Sequence, residues 1–210
     1  LSASMKMILV LTLLSLAPFL LVMVTSFTRI IVVLHFVRSA LGTQTSPPNQ
    51  VLIGIALFLT LFIMAPVMTQ INKDCIQPYD KGKLTQEEAL NAGLKPIRKF
   101  MFEQTNRKDI RLFMEIEKQS NDVSIEKEDE IPTLVLIPAF MISELRIAFI
   151  IGFLIYLPFI VIDMVVASTL MSMGMMMLPP TTISMPFKIL LFVLADGWNL
   201  VIGQLVKTFY

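Results

Sequence analysis

Residues 39 to 72 read SALGTQTSPPNQVLIGIALFLTLFIMAPVMTQIN, thirty-four positions without one ionisable side chain. The apolar run inside this stretch is close to the roughly 20 residues that a helix needs to cross a bilayer. A second uncharged stretch, Met7 to Thr28, has the same character. These two runs predict the first two hydrophobic helices. Between them Arg29 and Arg38 are the sole charges, and Pro47-Pro48 stops any arriving helix, so a helical extension followed by a tight turn is expected.

Composition agrees. Of 210 residues, 55% are hydrophobic and 16% charged, with a mean hydropathy of +0.75. Soluble domains carry about a quarter charged residues, so the chain falls in the membrane class. Residues 73 to 130 hold eleven of the seventeen basic and thirteen of the sixteen acidic side chains. The expected organisation is therefore 1–72, N-terminal hydrophobic helices; 73–132, a polar helical domain; and 133–210, C-terminal hydrophobic helices.

In the polar segment, Ile97, Phe100, Met101, Ile110, Phe113, Met114 and Glu117 recur at helical spacing and predict amphipathic helices. Asn91-Ala92-Gly93 offers a stop and Pro96 a restart, and SNDVSIEKEDEIP at 120 to 132 reads as an acidic linker.

The last third breaks the pattern of simple spanning helices. Glu144, Arg146, Asp163, Lys188 and Asp196 lie in or beside apolar stretches, where a charge costs at least about 2.5 kcal/mol at a bilayer centre. Pro138, Pro158, Pro179, Pro180 and Pro186 should interrupt the helices there. Glu144 and Arg146 are two apart and point in different directions on a helix, while Lys188 and Asp196 are two turns apart. Pairing with other subunits is the expectation for Glu144, Arg146 and Lys188; snorkelling is the bland alternative. A proton relay through Asp163 and Asp196 competes, without further titratable groups to extend it.

One cysteine, Cys75, and one histidine, His35, build neither a disulfide framework nor a metal cluster, and both read as structural. No HExxH, GxSxG or glycine-rich phosphate loop occurs, so neither enzyme activity nor a cofactor is expected. A net charge of +1 without a basic, aromatic-interleaved face gives no reason to expect nucleic acid.

MSMGMMMLPP, residues 171 to 180, remains. Methionine is unbranched and polarizable and adapts to irregular gaps. Gly174 removes a side chain just before Met175, Met176 and Met177, and Pro179-Pro180 ends the helix just after. The expectation is a short loop carrying three thioethers, which in a ring of identical subunits would form a compliant apolar constriction.

ALGTQTSPPNQVLIGIALFLTLFIMAPV at 40 to 67, PAFMISELRIAFIIGFLIYLPF at 138 to 159 and IDMVVASTLMSMGMMMLPPTTISMPFKILLFVLADGWNLVIG at 162 to 203 resemble the FliP family, the flagellar branch of the type III export-gate proteins. The resemblance covers both apolar halves. It implies a core subunit of a protein export channel, assembled helically as a homo-oligomer with FliQ-type and FliR-type subunits beside an FlhA/FlhB-type export platform. Unfolded flagellar proteins would be its substrates.

It implies an all-α fold of hydrophobic helical hairpins with kinked helices and a small extracytoplasmic helical domain. By resemblance Met175, Met176 and Met177 form a pore gasket, and Glu144 and Lys188 are buried charged positions. A location in the bacterial inner membrane and flagellar basal body follows, with the gate largely on the periplasmic side. A cleaved signal peptide before Leu1 suits the family. The virulence-secretion relatives are the nearest alternative, and an ion channel or transporter a more distant one.

Overall fold

The computed structural model describes residues 3–117, 130–175 and 177–210; most of the expected acidic linker, and Met176, lie outside the described residues. The elements are α1 (Ala3–Val24), α2 (Phe27–Ala40), α3 (Asn49–Ile71), a π-helical turn (Asn72–Ile76), α4 (Gln77–Asp80), α5 (Gln86–Gln104), α6 (Arg107–Ile116), α7 (Thr133–Ser172), α8 (Pro180–Leu194) and α9 (Gly197–Lys207). No strand occurs among the described residues, so the fold is all-α. The chain forms two compact units, each drawn from separated segments: Leu1–Thr28 with Met64–Glu144, and Arg29–Ile63 with Leu145–Tyr210. These units do not follow the compositional boundaries at 72 and 132, because α3 and α7 each contribute to both.

In the first unit, Thr85 caps α5. Its backbone N–H donates to the Glu88 carboxylate at 2.8 Å, and its hydroxyl oxygen accepts from the Glu88 N–H at 3.4 Å. The Thr85 backbone donor, then its hydroxyl, hold the Glu88 carboxyl below the usual glutamate range. The expected stop at Asn91-Ala92-Gly93 and restart at Pro96 are not there: α5 runs unbroken past both. Gly93 serves close approach instead, since a Cβ would lie 3.3 Å from the Cys75 Sγ. The break falls later, at Asn106, whose side chain accepts the Lys108 N–H at 3.0 Å and starts α6.

Phe100, Met101, Ile110 and Met114 are buried, as the periodicity predicts, whereas Glu117 is exposed. Phe100 meets Phe140 of α7 edge to face at 6.0 Å. Ser143, also on α7, donates to the buried Asp109 at 2.6 Å and accepts the Asn106 N–H at 2.9 Å. The polar helices thus dock on the first turns of α7 through both an aromatic pair and a satisfied polar cluster.

In the second unit, Phe36 of α2 sits against Phe149 and Gly152 of α7, and three residues on the Tyr156 hydroxyl donates to the Ser39 carbonyl at 3.5 Å. The two helices therefore run parallel. Val37, Ala40, Leu41, Phe159 and Phe192 form the buried cluster at the end of this seam. A Cβ at Gly152 would stand 2.4 Å from the Phe36 ring. Gly152→Ala is expected to lower stability by about 1–3 kcal/mol through overpacking. Thermal melting of the detergent-solubilised protein checks this, with partial recovery expected in Gly152→Ala/Phe36→Ala.

Arg29 is fully buried in this unit. Its guanidinium stacks 3.9 Å from the Phe209 ring and donates to the Thr208 carbonyl and hydroxyl, each at 3.0 Å. Those carbonyl and ring partners tie the end of α9 to the start of α2.

Asn49–Asp80 and Thr133–Ser172 are helical stretches long and apolar enough to cross a membrane. α7 stays helical through Pro138 and Pro158, and α8 through Pro186, so three of the five expected interruptions do not occur. A proline removes one backbone hydrogen bond and costs about 3 kcal/mol in a helix interior, an amount that tertiary packing can override. At 40 residues α7 measures about 60 Å, twice the hydrocarbon thickness of a bilayer. Much of its surface is apolar and uncovered, including Phe149, Phe153, Leu154, Val161 and Val165. Such faces need lipid or protein against them.

Candidate functional site: the methionine turn

α7 ends in a left-handed cap built by Gly174. The Gly174 N–H donates to the Met171 carbonyl at 3.1 Å and the Met175 N–H reaches back to the Leu170 carbonyl at 3.0 Å. Gly174 itself has φ +74°. This bond pair is a Schellman motif, and it requires a left-handed residue at the position that Gly174 fills. Space is not the reason for the glycine, because a Cβ there would meet nothing within 4 Å.

After a short turn in which the Leu178 N–H donates to the Met175 carbonyl at 3.4 Å, Pro179 is the N-cap of α8 and Pro180 its first residue. Proline at that position loses no helical bond, and its fixed φ starts the new helix. Gly174, Pro179 and Pro180 thus act as the break that the composition predicts. Gly174→Ala should cost about 1–2 kcal/mol of local stability from the left-handed backbone. Faster proteolysis of the 173–179 turn, with the global melt moved by a few degrees at most, is the expected observation.

The described methionines of this run are not core residues. Met171, Met173 and Met175 are 58%, 62% and 44% exposed, and Met177 is 98% exposed. A pliable apolar loop is therefore presented outward, on a backbone that is itself tightly specified.

What specifies its approach is a staple two turns below it. Lys188 Nζ lies 2.6 Å from Asp163 Oδ2, and the Ser184 hydroxyl donates to Asp163 Oδ1 at 2.5 Å. Ser184 and Lys188 are one turn apart on α8 and so share the face turned to α7. Four residues before Asp163, Phe159 lies against Phe192 with ring centres 6.3 Å apart. The two contacts together make the end of α7 and α8 antiparallel.

Lys188 is 2% exposed and the Asp163 side chain 25%, so the charges are largely removed from water and compensated within the chain. Lys188 was expected to find its partner on another subunit. Its partner is on its own chain, because the Pro179-Pro180 reversal brings α8 back along α7.

Glu144 is fully buried and Arg146 exposed, on different sides of α7 as their spacing requires. Glu144 stands in the first unit and Arg146 in the second. Asp196 is at the α8–α9 corner, where it adopts φ +51°, lies exposed and accepts from Asn199 Nδ2 at 3.0 Å. The relay pictured for Asp163 and Asp196 thus meets one carboxylate held in an ion pair and another serving a 66° bend between helices. Ser184 and Arg29 were not anticipated. The SMPFK spacing, serine four residues before lysine, carried a readable signal for Ser184; nothing in the sequence signals a partner for Arg29 179 positions away.

Two helical stretches of membrane-spanning length, two apolar helices joined by a sharp bend, and an exposed apolar turn stapled by buried charge define an integral-membrane-type helical protein. Comparison with known proteins gives the family. A model described as "FliP family" matches residues 10–205. The flagellar biosynthetic protein FliP of Bacillus subtilis (strain 168) is 53% identical over 208 residues, covering 99% of this chain and 93% of its own length. That of Aquifex aeolicus (strain VF5) is 48% identical over 206 residues, covering 98% and 86%. The namesake from Caulobacter vibrioides is 52% identical over 198 residues, covering 94% and 73%. The chain belongs to the FliP family of flagellar biosynthesis proteins.

Proposed function

We propose that the chain is a core subunit of the flagellar type III protein export gate. Several copies assemble with FliQ-type and FliR-type subunits into a channel next to the FlhA/FlhB-type platform, in the bacterial inner membrane, with the gate toward the periplasmic side. Unfolded flagellar proteins are the cargo. The observation that carries this reading is the methionine turn: flexible thioethers, with Met177 almost wholly exposed, held on a capped and proline-bounded backbone.

Repeated around an axis, Met175, Met176 and Met177 form an apolar constriction that excludes ions by dewetting and yields to a passing polypeptide, as a rigid polar filter would not. Gly174, Pro179 and Pro180 fix where the constriction stands. Arg146, exposed on α7, serves contacts between subunits in this reading, whereas Glu144, fully buried in its own chain, and Lys188 contribute indirectly by holding α7 and α8 in place. The gate catalyses no reaction.

Family membership and the uncovered apolar faces of α3, α7 and α8 support assembly. Co-purifying the protein with the products of neighbouring flagellar genes should yield a multimer with several copies of this chain around a central pore narrowed at the turn. A monodisperse single copy lacking partners would refute the proposal.

A further inference from the structure

The second unit contains a groove of about 540 Å3, a volume within the range of small-ligand sites. Val51 and Ile55 of α3 form one wall, Ile189 and Phe192 of α8 another, and Trp198 and Ile202 of α9 complete it. Its polarity is confined to the loop between α2 and α3, where Thr43 and Ser46 border it. Arg38, in the last turn of α2, reaches over that loop: Nη1 donates to the carbonyl of Pro47, itself a lining residue, at 3.3 Å and to Asn49 Oδ1 at 2.6 Å, while Nη2 lies 2.9 Å from His35 Nδ1.

All three partners are neutral. Among the described residues no carboxylate pairs with Arg38, in contrast to Lys188, which has Asp163. A guanidinium offers five N–H donors, so donor capacity remains for an anion. The groove is thus a hydrocarbon trough whose loop-side wall, at Pro47, is held by a cation just outside it.

We infer that this groove holds one anionic phospholipid, with an acyl chain along Val51, Ile55, Phe192 and Ile202 and the headgroup phosphate on Arg38. Guanidinium and phosphate match in charge and in fork geometry, and basic pockets between membrane helices are suited to acidic headgroups. A free phosphate would leave the trough unfilled, and a zwitterionic lipid would bring its own cation beside Arg38 along with its phosphate, so a headgroup of net negative charge is favoured. The lipid would seal the seam between the α2–α3 loop and the α8–α9 corner, so the helix pair that carries the methionine turn would be braced by its membrane.

The test is native mass spectrometry of the full chain in a neutral detergent, supplied with equal amounts of phosphatidylglycerol and phosphatidylcholine bearing identical acyl chains. Phosphatidylglycerol adducts should exceed phosphatidylcholine adducts by about fivefold, the size of effect typical of one arginine near an acidic headgroup. Arg38→Gln should bring the ratio to near one, and Arg38→Lys should retain most of it. Val51→Trp, which fills the trough and leaves the cation in place, should reduce adducts of both lipids; this variant keeps the test decisive if Arg38→Gln fails to fold. Equal binding of the two lipids by the wild type, an unchanged ratio in Arg38→Gln, full adduct formation by Val51→Trp, or displacement of the lipid by millimolar inorganic phosphate would each overturn the inference.

Discussion

Replacing Met175, Met176 and Met177 together by alanine should leave a channel that conducts small ions when it ought to be shut. The three side chains supply the apolar bulk of the proposed constriction, and alanine keeps the surface apolar while shortening each by several heavy atoms. Dewetting depends on that narrowness. A rise in ion leak of about tenfold requires only about 1.4 kcal/mol off the barrier, so this is the least that three truncations should produce.

Folding should be unaffected. The described methionines of the turn bury little, and its conformation is set by the backbone bonds at Gly174 and by the prolines. Membrane-potential dyes in growing cells report the leak, and secretion of flagellar subunits should continue. Wild-type leak with abolished secretion would assign the methionines to cargo recognition instead.

Lys188→Met should produce the largest loss of stability. It leaves Asp163 with its Ser184 hydrogen bond and no cation, next to an apolar helix face. Removing one member of a buried pair costs about 3–5 kcal/mol, and the partial exposure of Asp163 argues for the lower end. The expected phenotype is poor accumulation of protein and loss of motility. The variant Lys188→Met/Asp163→Leu should recover much of the stability, since replacing both charges by apolar groups removes the desolvation term entirely. Protein abundance in membranes by immunoblot separates these outcomes: equal abundance of the single variant and the wild type would mean that the pair does not staple α7 to α8.

The sequence made the class and the turn readable for different reasons. Uncharged runs such as Ser39–Asn72 report directly on the solvent, so α1 and α3 were legible from composition, and so were the buried faces of α5 and α6 from their 3.6-residue period. Gly174 and Pro179-Pro180 were legible because left-handed caps and helix starts admit few residue types.

Boundaries governed by tertiary contact were not legible. Gly93 reads as a stop unless Cys75 is known to lie against it, and Pro138 and Pro158 read as breaks although α7 continues through both. The Asp163–Lys188 pair was obscured by its separation of 25 residues across a reversal whose geometry only the fold supplies. The two carboxylates placed in a relay had looked alike in sequence; burial and backbone conformation distinguish an ion-paired Asp163 from a corner-forming Asp196.

The central claim is that the methionine turn lines the path of exported protein. Met177→Cys places a thiol at the most exposed of the described positions of the turn, and Leu194→Cys, 78% exposed at the far end of α8, is the matched control. With a secretion substrate arrested in transit by a folded C-terminal fusion and carrying a single cysteine, oxidation should trap a disulfide to position 177 and not to position 194. Cross-linking at 194 with none at 177 would contradict the account.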